Sequence, residues 1–224
     1  MGETNWATFD CFGTLIDWRH GLATSADLLF PGRGAELLER YNVHELDVEA
    51  ATPTMRYRDV LAESLRRAAA DLGLALSPDD ATILGATIPY WPAFPEVAAE
   101  LTALRAGGWR LALLTNCDRD IIGATQRRLG AVIDAVVTAE HVGAYKPALG
   151  HFRRFEESFA PAPGGWVHVA QGYDHDMVPA HGLGLPSVWI NRLGEDRDES
   201  ICGSVQPDLH GLLAAVERVH ALAS

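Results

Sequence analysis

The chain has 224 residues, with 18 Lys+Arg against 30 Asp+Glu and a formal charge of −12 when histidines are neutral. That balance excludes a protein whose affinity rests on neutralising phosphates, because such binding needs a basic face, and the pairs Arg66-Arg67, Arg127-Arg128 and Arg153-Arg154 are scattered. A chain of this length buries roughly 70% of its unfolded surface, so a full core forms without staples. Cys11, Cys117 and Cys202 are odd in number and far apart, which suits a reducing cytosol better than a disulfide framework. Residues 1–5 lack the basic start and apolar stretch of a leader, and no apolar run approaches the ~18 residues of a membrane span. A cytoplasmic protein with no nucleic-acid or membrane partner is expected.

In chain order, an apolar run over 6–16, broken by Asp10 and by Gly13-Thr14, predicts a buried strand ending in a turn. Residues 18–91 carry long amphipathic patterns (35–50, 57–72 and 78–87) and no convincing strand, so they predict an inserted helical domain. Pro89, Pro92 and Pro95 mark its return to the sheet, and the junctions at Trp18 and Trp91 are the expected hinges. Beyond it, helical segments near 96–105, 120–129, 149–159, 177–183 and 208–222 alternate with strands at 109–115, 133–138, 166–171 and 186–191. This alternation implies an α/β fold, a Rossmann-like doubly wound parallel sheet covered on both faces. The expected division is a core of 1–16 and 93–224 and a helical cap of 17–92. In open parallel sheets ligands bind outside the carboxyl ends of the strands, so the site should lie between sheet and insertion.

Asp10 follows Trp6-Ala7-Thr8-Phe9 and precedes Gly13-Thr14, which places a carboxylate at the tip of a buried strand. It is either a turn-capping residue or, in a dry crevice, a covalent nucleophile. Three further strand ends deliver Thr115-Asn116, then Lys146-Pro147, then Gln171-Gly172-Tyr173-Asp174-His175-Asp176. Thr115-Asn116 can open a turn, Lys146 can be a surface lysine, and Asp174 or Asp176 can cap a helix beginning near Met177. Together they bring a carboxylate, a hydroxyl-amide pair, a cation and a second carboxylate to one rim. The histidines show no metal-ligand spacing with the cysteines.

Asp10-Cys11-Phe12-Gly13-Thr14, Leu113-Leu114-Thr115-Asn116, Lys146-Pro147 and the Asp176 cluster resemble the four ordered motifs of the haloacid dehalogenase superfamily. Within it the likeness is closest to the L-2-haloacid dehalogenases, supported by Phe94-Pro95-Glu96-Val97 and Leu185-Pro186-Ser187-Val188-Trp189-Ile190-Asn191-Arg192. The resemblance implies that Asp10 displaces halide from the α-carbon of a short 2-haloacid, giving an ester that water cleaves. Lys146 would hold Asp10 ionised, Thr14 would position it, and Asp176 would orient or activate the water. Thr115 would hold the substrate carboxylate, while Asn116 and a cap arginine, with Arg40 the candidate, would receive the halide. Arg40 is equally readable as a solvent-facing helix arginine. Cys11, Phe12, Tyr173 and His175 complete the expected substrate walls; Cys11 also reads as a small buried filler and His175 as a packed histidine.

Phosphatases of the superfamily carry a general acid two residues after the nucleophile, where this chain has Phe12, and a further acidic residue where it has Gln171. An alkoxide leaving group needs a proton and a halide does not, so metal-free chemistry without a cofactor is expected, on a small-molecule carboxylate substrate. The alternatives are an Mg²⁺-dependent phosphatase of small phosphate esters and a superfamily member that only binds a ligand. The chain departs from the dehalogenase pattern at Gln171, Tyr173, His175 and Phe152. The resemblance also suggests a homodimer.

Overall fold

The computed structural model describes residues 5–223; the expected absence of a leader was read on residues 1–5, of which 1–4 lie outside the described region. The chain opens with β1 (Trp6–Phe9), passes through four helices, α1 (Trp18–Asp27), α2 (Gly34–Ala51), α3 (Tyr57–Asp71) and α4 (Ile83–Thr87), and enters α5 (Val97–Ala106). Then follow β2 (Arg110–Thr115), α6 (Arg119–Thr125), β3 (Ala135–Thr138), α7 (Ala139–Val142), α8 (Gly150–Phe159), β4 (Trp166–Ala170), α9 (Val178–Gly182), β5 (Ser187–Ile190), β6 (Ser204–Gln206) and α10 (Leu212–Ala223). The six strands form one parallel sheet in the order β3-β2-β1-β4-β5-β6. The chain winds outward from β1 to β3 and then returns to β4, so the order switches beside β1, where a crevice opens at the strand ends.

Both faces of the sheet are covered, which is why its strands read as apolar runs rather than alternating ones. Ala7, Phe9, Leu111, Leu113, Val167 and Val169 face one cluster with Leu101, Leu104, Leu212 and Val216 of α5 and α10, and that cluster continues into Leu22, Leu37, Leu61 and Leu65 of α1–α3. Trp6, Ala112, Leu114 and Val137 face the other side, against Phe152 and Phe155 of α8.

Where the chain leaves and returns, Ile16 and Ala93 form an antiparallel bridge, with Asp17 N donating to Pro92 O and Phe94 N to Leu15 O. Trp91 is buried there. Its indole donates to Ser25 Oγ at 3.1 Å, and a Cβ at Gly21 would stand 2.2 Å from its ring, so only glycine lets α1 approach this closely.

The differences from the expected elements are local. The 78–87 pattern forms a turn and the short α4, and 120–129 ends as a tight turn after Thr125. Segment 177–183 begins in a wide turn over Tyr173–Met177 before α9. α1, α7 and β6 were not expected as separate elements. β6 is a three-residue edge strand, Ser204–Gln206, too short and too polar to show a period.

Candidate active site

The cavity at the crevice has a volume of about 170 Å³ and is bounded by the ends of β1, β2 and β4, by Lys146 and by α2 and α3. Asp10 begins the turn after β1, its amide donating to Val169 O of β4. The turn tightens through Leu15 and Ile16 amides on Cys11 O and needs Gly13, whose φ is +98° and whose added Cβ would meet Gln171 Oε1 at 2.9 Å. Thr14 Oγ1 accepts from the Gln171 amide at 2.9 Å and donates its own proton to Asp10 Oδ2 at 2.9 Å.

Lys146 stands between two carboxylates. Its Nζ donates to Asp10 Oδ1 at 3.0 Å and to Asp176 Oδ1 at 2.6 Å, and its side chain is 2% exposed against 13% for Asp10. Asn116 positions it, accepting from the Lys146 amide at 2.7 Å through Oδ1 and donating to the Lys146 carbonyl at 3.3 Å through Nδ2. Burial alone would lower the Lys146 pKa, but Asp10 and Asp176 outweigh it and push it up to about 12. Asp176 has the opposite balance: burial would raise it, and Lys146 and His168 hold it down at about 2. Asp10 is raised, because burial exceeds what the lysine restores and Asp176 repels. One ammonium thus serves two buried anions, and Asp10 carries the surplus charge.

Beneath Asp176 lies a group that sequence reading missed. His168 of β4 meets Asp176 Oδ1 through Nε2 at 3.1 Å and Thr8 Oγ1 through Nδ1 at 2.9 Å. Trp166 Nε1 donates to Thr8 Oγ1 at 2.8 Å. An indole only donates, so the Thr8 proton is free for Nδ1 and, with the ring neutral, the imidazole proton sits on Nε2 and points at Asp176.

Asp10, Phe12, Thr115, Asn116, Lys146, His175 and Asp176 all line the cavity, and Thr14 supports it from behind. Asp176 does not cap the following helix; Asp174 pairs with Arg197 at the surface. Three expected residues are elsewhere. Cys11 is fully buried and does not reach the cavity. Tyr173 turns outward, its hydroxyl donating to Asp198 O and its ring set edge-on to Trp189 at 5.1 Å. Arg40 is exposed near Glu36; at roughly 100° per residue it lies about 180° around α2 from the residue that does face the cavity, Glu49.

The α2 wall is therefore acidic. Glu45, Leu46 and Glu49 line it, and no arginine lines the cavity among the described residues. Glu45 Oε1 accepts from Tyr41 and Tyr57 hydroxyls, each at 2.8 Å. Burial raises its pKa against those two donors and the nearby His175. Glu49 is 7% exposed and is pushed up to about 9 by burial and by Glu45, against the lowering effect of Lys146 and Asn116. The (i, i+4) spacing of Glu45 and Glu49 puts both on one helix face, a signal already present in the 35–50 pattern.

Among the described residues no three His, Cys, Asp or Glu side chains are grouped so as to hold a metal, and no helix is long and apolar enough to cross a membrane. The two carboxylates nearest the reaction centre are spanned by an ammonium, and the Gln171 side chain donates through Nε2 to Glu195 Oε1 at 3.3 Å. This donor set does not fit a hard dication, which needs several free oxygen ligands.

The model of the haloacid dehalogenase-like hydrolases matches residues 4–174. An (S)-2-haloacid dehalogenase of Pseudomonas sp. (strain YL) is 28% identical over 198 residues, covering 85% of this chain and 84% of that protein. Haloacetate dehalogenase H-2 of Moraxella sp. (strain B) is 26% identical over 197 residues, covering 85% and 87%. The crystal structure of an L-2-haloacid dehalogenase superposes with a TM-score of 0.84 at 26% identity, over 96% of this chain and 100% of the other. With the sheet order, the strand-end residues and this match in agreement, the chain belongs to the haloacid dehalogenase-like hydrolase family.

Proposed function

We propose that the protein is a metal-independent hydrolase of short 2-haloacids that works through an ester on Asp10. The observation that carries this reading is the Asp10–Lys146–Asp176 group, in which one ammonium bridges two buried carboxylates and leaves Asp10 the less compensated. A desolvated carboxylate with a raised pKa is a stronger nucleophile than a solvated one. Attack on the α-carbon turns it into a neutral ester and relieves the surplus charge.

Residues 17–92 act as a cap that admits substrate and closes over it. Lys146 and Thr14 aim the two Asp10 oxygens, and the Thr115 hydroxyl with neighbouring amides holds the substrate carboxylate. Water then adds to the Asp10 carbonyl carbon, and the ester C–O bond to that carbon breaks to release a 2-hydroxyacid. Asp176, held ionised and in place by Lys146 and His168, orients the water. His175, on the cavity wall, is the proton acceptor. The small cavity suits substrates of a few heavy atoms, the three free thiols suit a cytoplasmic setting, and the relatives named as dehalogenases support the substrate class.

A halide-release screen over fluoro-, chloro- and bromoacetate and both 2-chloropropionate enantiomers, with and without chelator, tests this. Release unaffected by chelator and abolished by Asp10→Asn is expected, with heavy oxygen from solvent entering Asp10 during a single turnover. Release that vanishes on chelation, or magnesium-dependent phosphate release without halide release, overturns it.

A further inference from the structure

The α2 wall poses a chemical problem that the strand-end residues do not solve. A nucleophile displaces its leaving group along the line away from itself, so a halide driven off by Asp10 departs toward the wall opposite the strand ends. That wall presents Glu45, Leu46 and Glu49 and, among the described residues, no arginine. Two carboxylates would repel a departing anion. Glu45 has its Oε1 engaged by Tyr41 and Tyr57, whereas Glu49, 7% exposed, lines the same cavity as Asn116.

We propose that Glu49 is a catalytic residue: its carboxyl faces the departing group beside Asn116 and donates its proton in a hydrogen bond to the leaving halide. This rests on the reading of Asp10 as nucleophile toward a haloacid. In the step, the Asp10 Oδ–carbon bond forms as the carbon–halogen bond breaks, and the bonding pair leaves with the halide. Every halide ion is a weaker base than this carboxylate, so the proton stays on Glu49 while it is shared. The proton is present at neutral pH, since burial and the neighbouring Glu45 raise Glu49 to about 9, against the lowering effect of Lys146 and Asn116. The other titratable groups facing it are Tyr41 on α2, Tyr57 on α3, Tyr145 beside Lys146, and His175 across the cavity mouth. An arginine would leave this wall cationic at every pH; an acid makes it a donor only below its own pKa.

Fluoride accepts a hydrogen bond far more strongly than bromide, so leaving-group dependence reads out the contact. Glu49→Leu should cut fluoride release from fluoroacetate about 100-fold and bromide release from bromoacetate roughly tenfold or less, the scale of losing one donor to developing charge. Wild-type turnover should fall above about pH 9. Glu49→Gln keeps a donor and the shape of the side chain, so it should lose that alkaline fall. Equal losses for the two halides, or an alkaline fall that persists in Glu49→Gln, overturn the proposal. If the wild type releases halide from neither acid, the haloacid reading is wrong, and calorimetric titration with bromide ion decides the role of Glu49 independently. Binding at pH 7 that weakens at least tenfold at pH 10 and in Glu49→Leu supports it; no binding, or binding indifferent to both changes, sinks it.

Discussion

A carboxyl that keeps its proton to about pH 9 in the folded chain, against 4.5 unfolded, leaves a signature in stability. Between those values the folded state binds a proton that the unfolded state has released, so stability falls as pH rises through the window. Glu49→Gln removes this dependence. The variant should gain stability relative to wild type on going from pH 5 to pH 8, measured by thermal unfolding at each pH, with little difference at pH 4. His168 makes the converse case. His168→Phe takes one donor from Asp176 and strands the Thr8 hydroxyl, which should cost about 1–3 kcal/mol in urea unfolding. It should also loosen Asp176 and slow hydrolysis of the Asp10 ester in single-turnover kinetics, and His168→Gln, which retains a donor, should restore much of both. Asp10, Thr14, Lys146 and Asp176 were legible in the sequence because each follows a strand run or a turn signal. His168 was not: on β4 a histidine between two valines reads as part of an apolar strand, and only the neighbouring strand shows that Thr8 and Trp166 fix its proton.

Helix α3 begins without a capping side chain of its own; the Arg56 side chain at its N-cap has no oxygen to accept from the amides of the first turn. Asp118, at the start of α6, supplies the cap, accepting from Tyr57 N at 2.9 Å, Arg58 N at 3.2 Å and Arg58 Nε at 3.1 Å. The cap and the strand-end loops are thereby tied beside Tyr57, whose hydroxyl holds Glu45. Asp118→Ala should lower stability by about 1–2 kcal/mol and raise KM more than it lowers kcat. Faster amide hydrogen exchange confined to the first turn of α3 would identify the cause; an unchanged exchange rate there would rule out the latch. The helical period of 35–50 and 57–72 was clear in the sequence, because Leu37, Leu38, Tyr41 and Val48, then Val60, Leu61, Leu65, Ala68 and Ala69, recur at helical spacing. The 78–87 stretch reads as one more amphipathic pattern, and packing beside Arg58 and α1 divided it into a turn and a five-residue helix.

At the scale of the molecule, one arginine joins three distant segments. Arg192, after β5, donates to Thr14 O at 2.9 Å and to Glu96 Oε1 at 2.6 Å, with its guanidinium 3.7 Å from the Phe94 ring centre. It braces the nucleophile turn, the return from the cap and the far side of the sheet. Burial would raise Glu96, but hydrogen bonds including that from Arg192 hold it below its ordinary value. Arg192→Met leaves a buried carboxylate unpaired and should cost about 3–5 kcal/mol at pH 7. Because Glu96 is depressed in the folded state, that difference is present above the unfolded value of 4.5 and should shrink as pH falls below it. Denaturant unfolding of both proteins at pH 7 and pH 4 measures the change; a gap that widens in acid would contradict it.

The order of strands and helices, the inserted helices after β1 and the four strand-end clusters were determined by the sequence itself, since periodicity and turn chemistry act between near neighbours. Which face of α2 closes the cavity was decided only by tertiary packing. A rotation of half a turn separates Arg40 from Glu49, and no local pattern records the angle at which a helix settles on a sheet. The same holds for Tyr173 turning outward and for His168 meeting Asp176. Those outcomes depend on partners from other elements, Trp189 and Asp198 for Tyr173 and, 160 residues away, Thr8 for His168, brought together when the sheet and its covering helices pack.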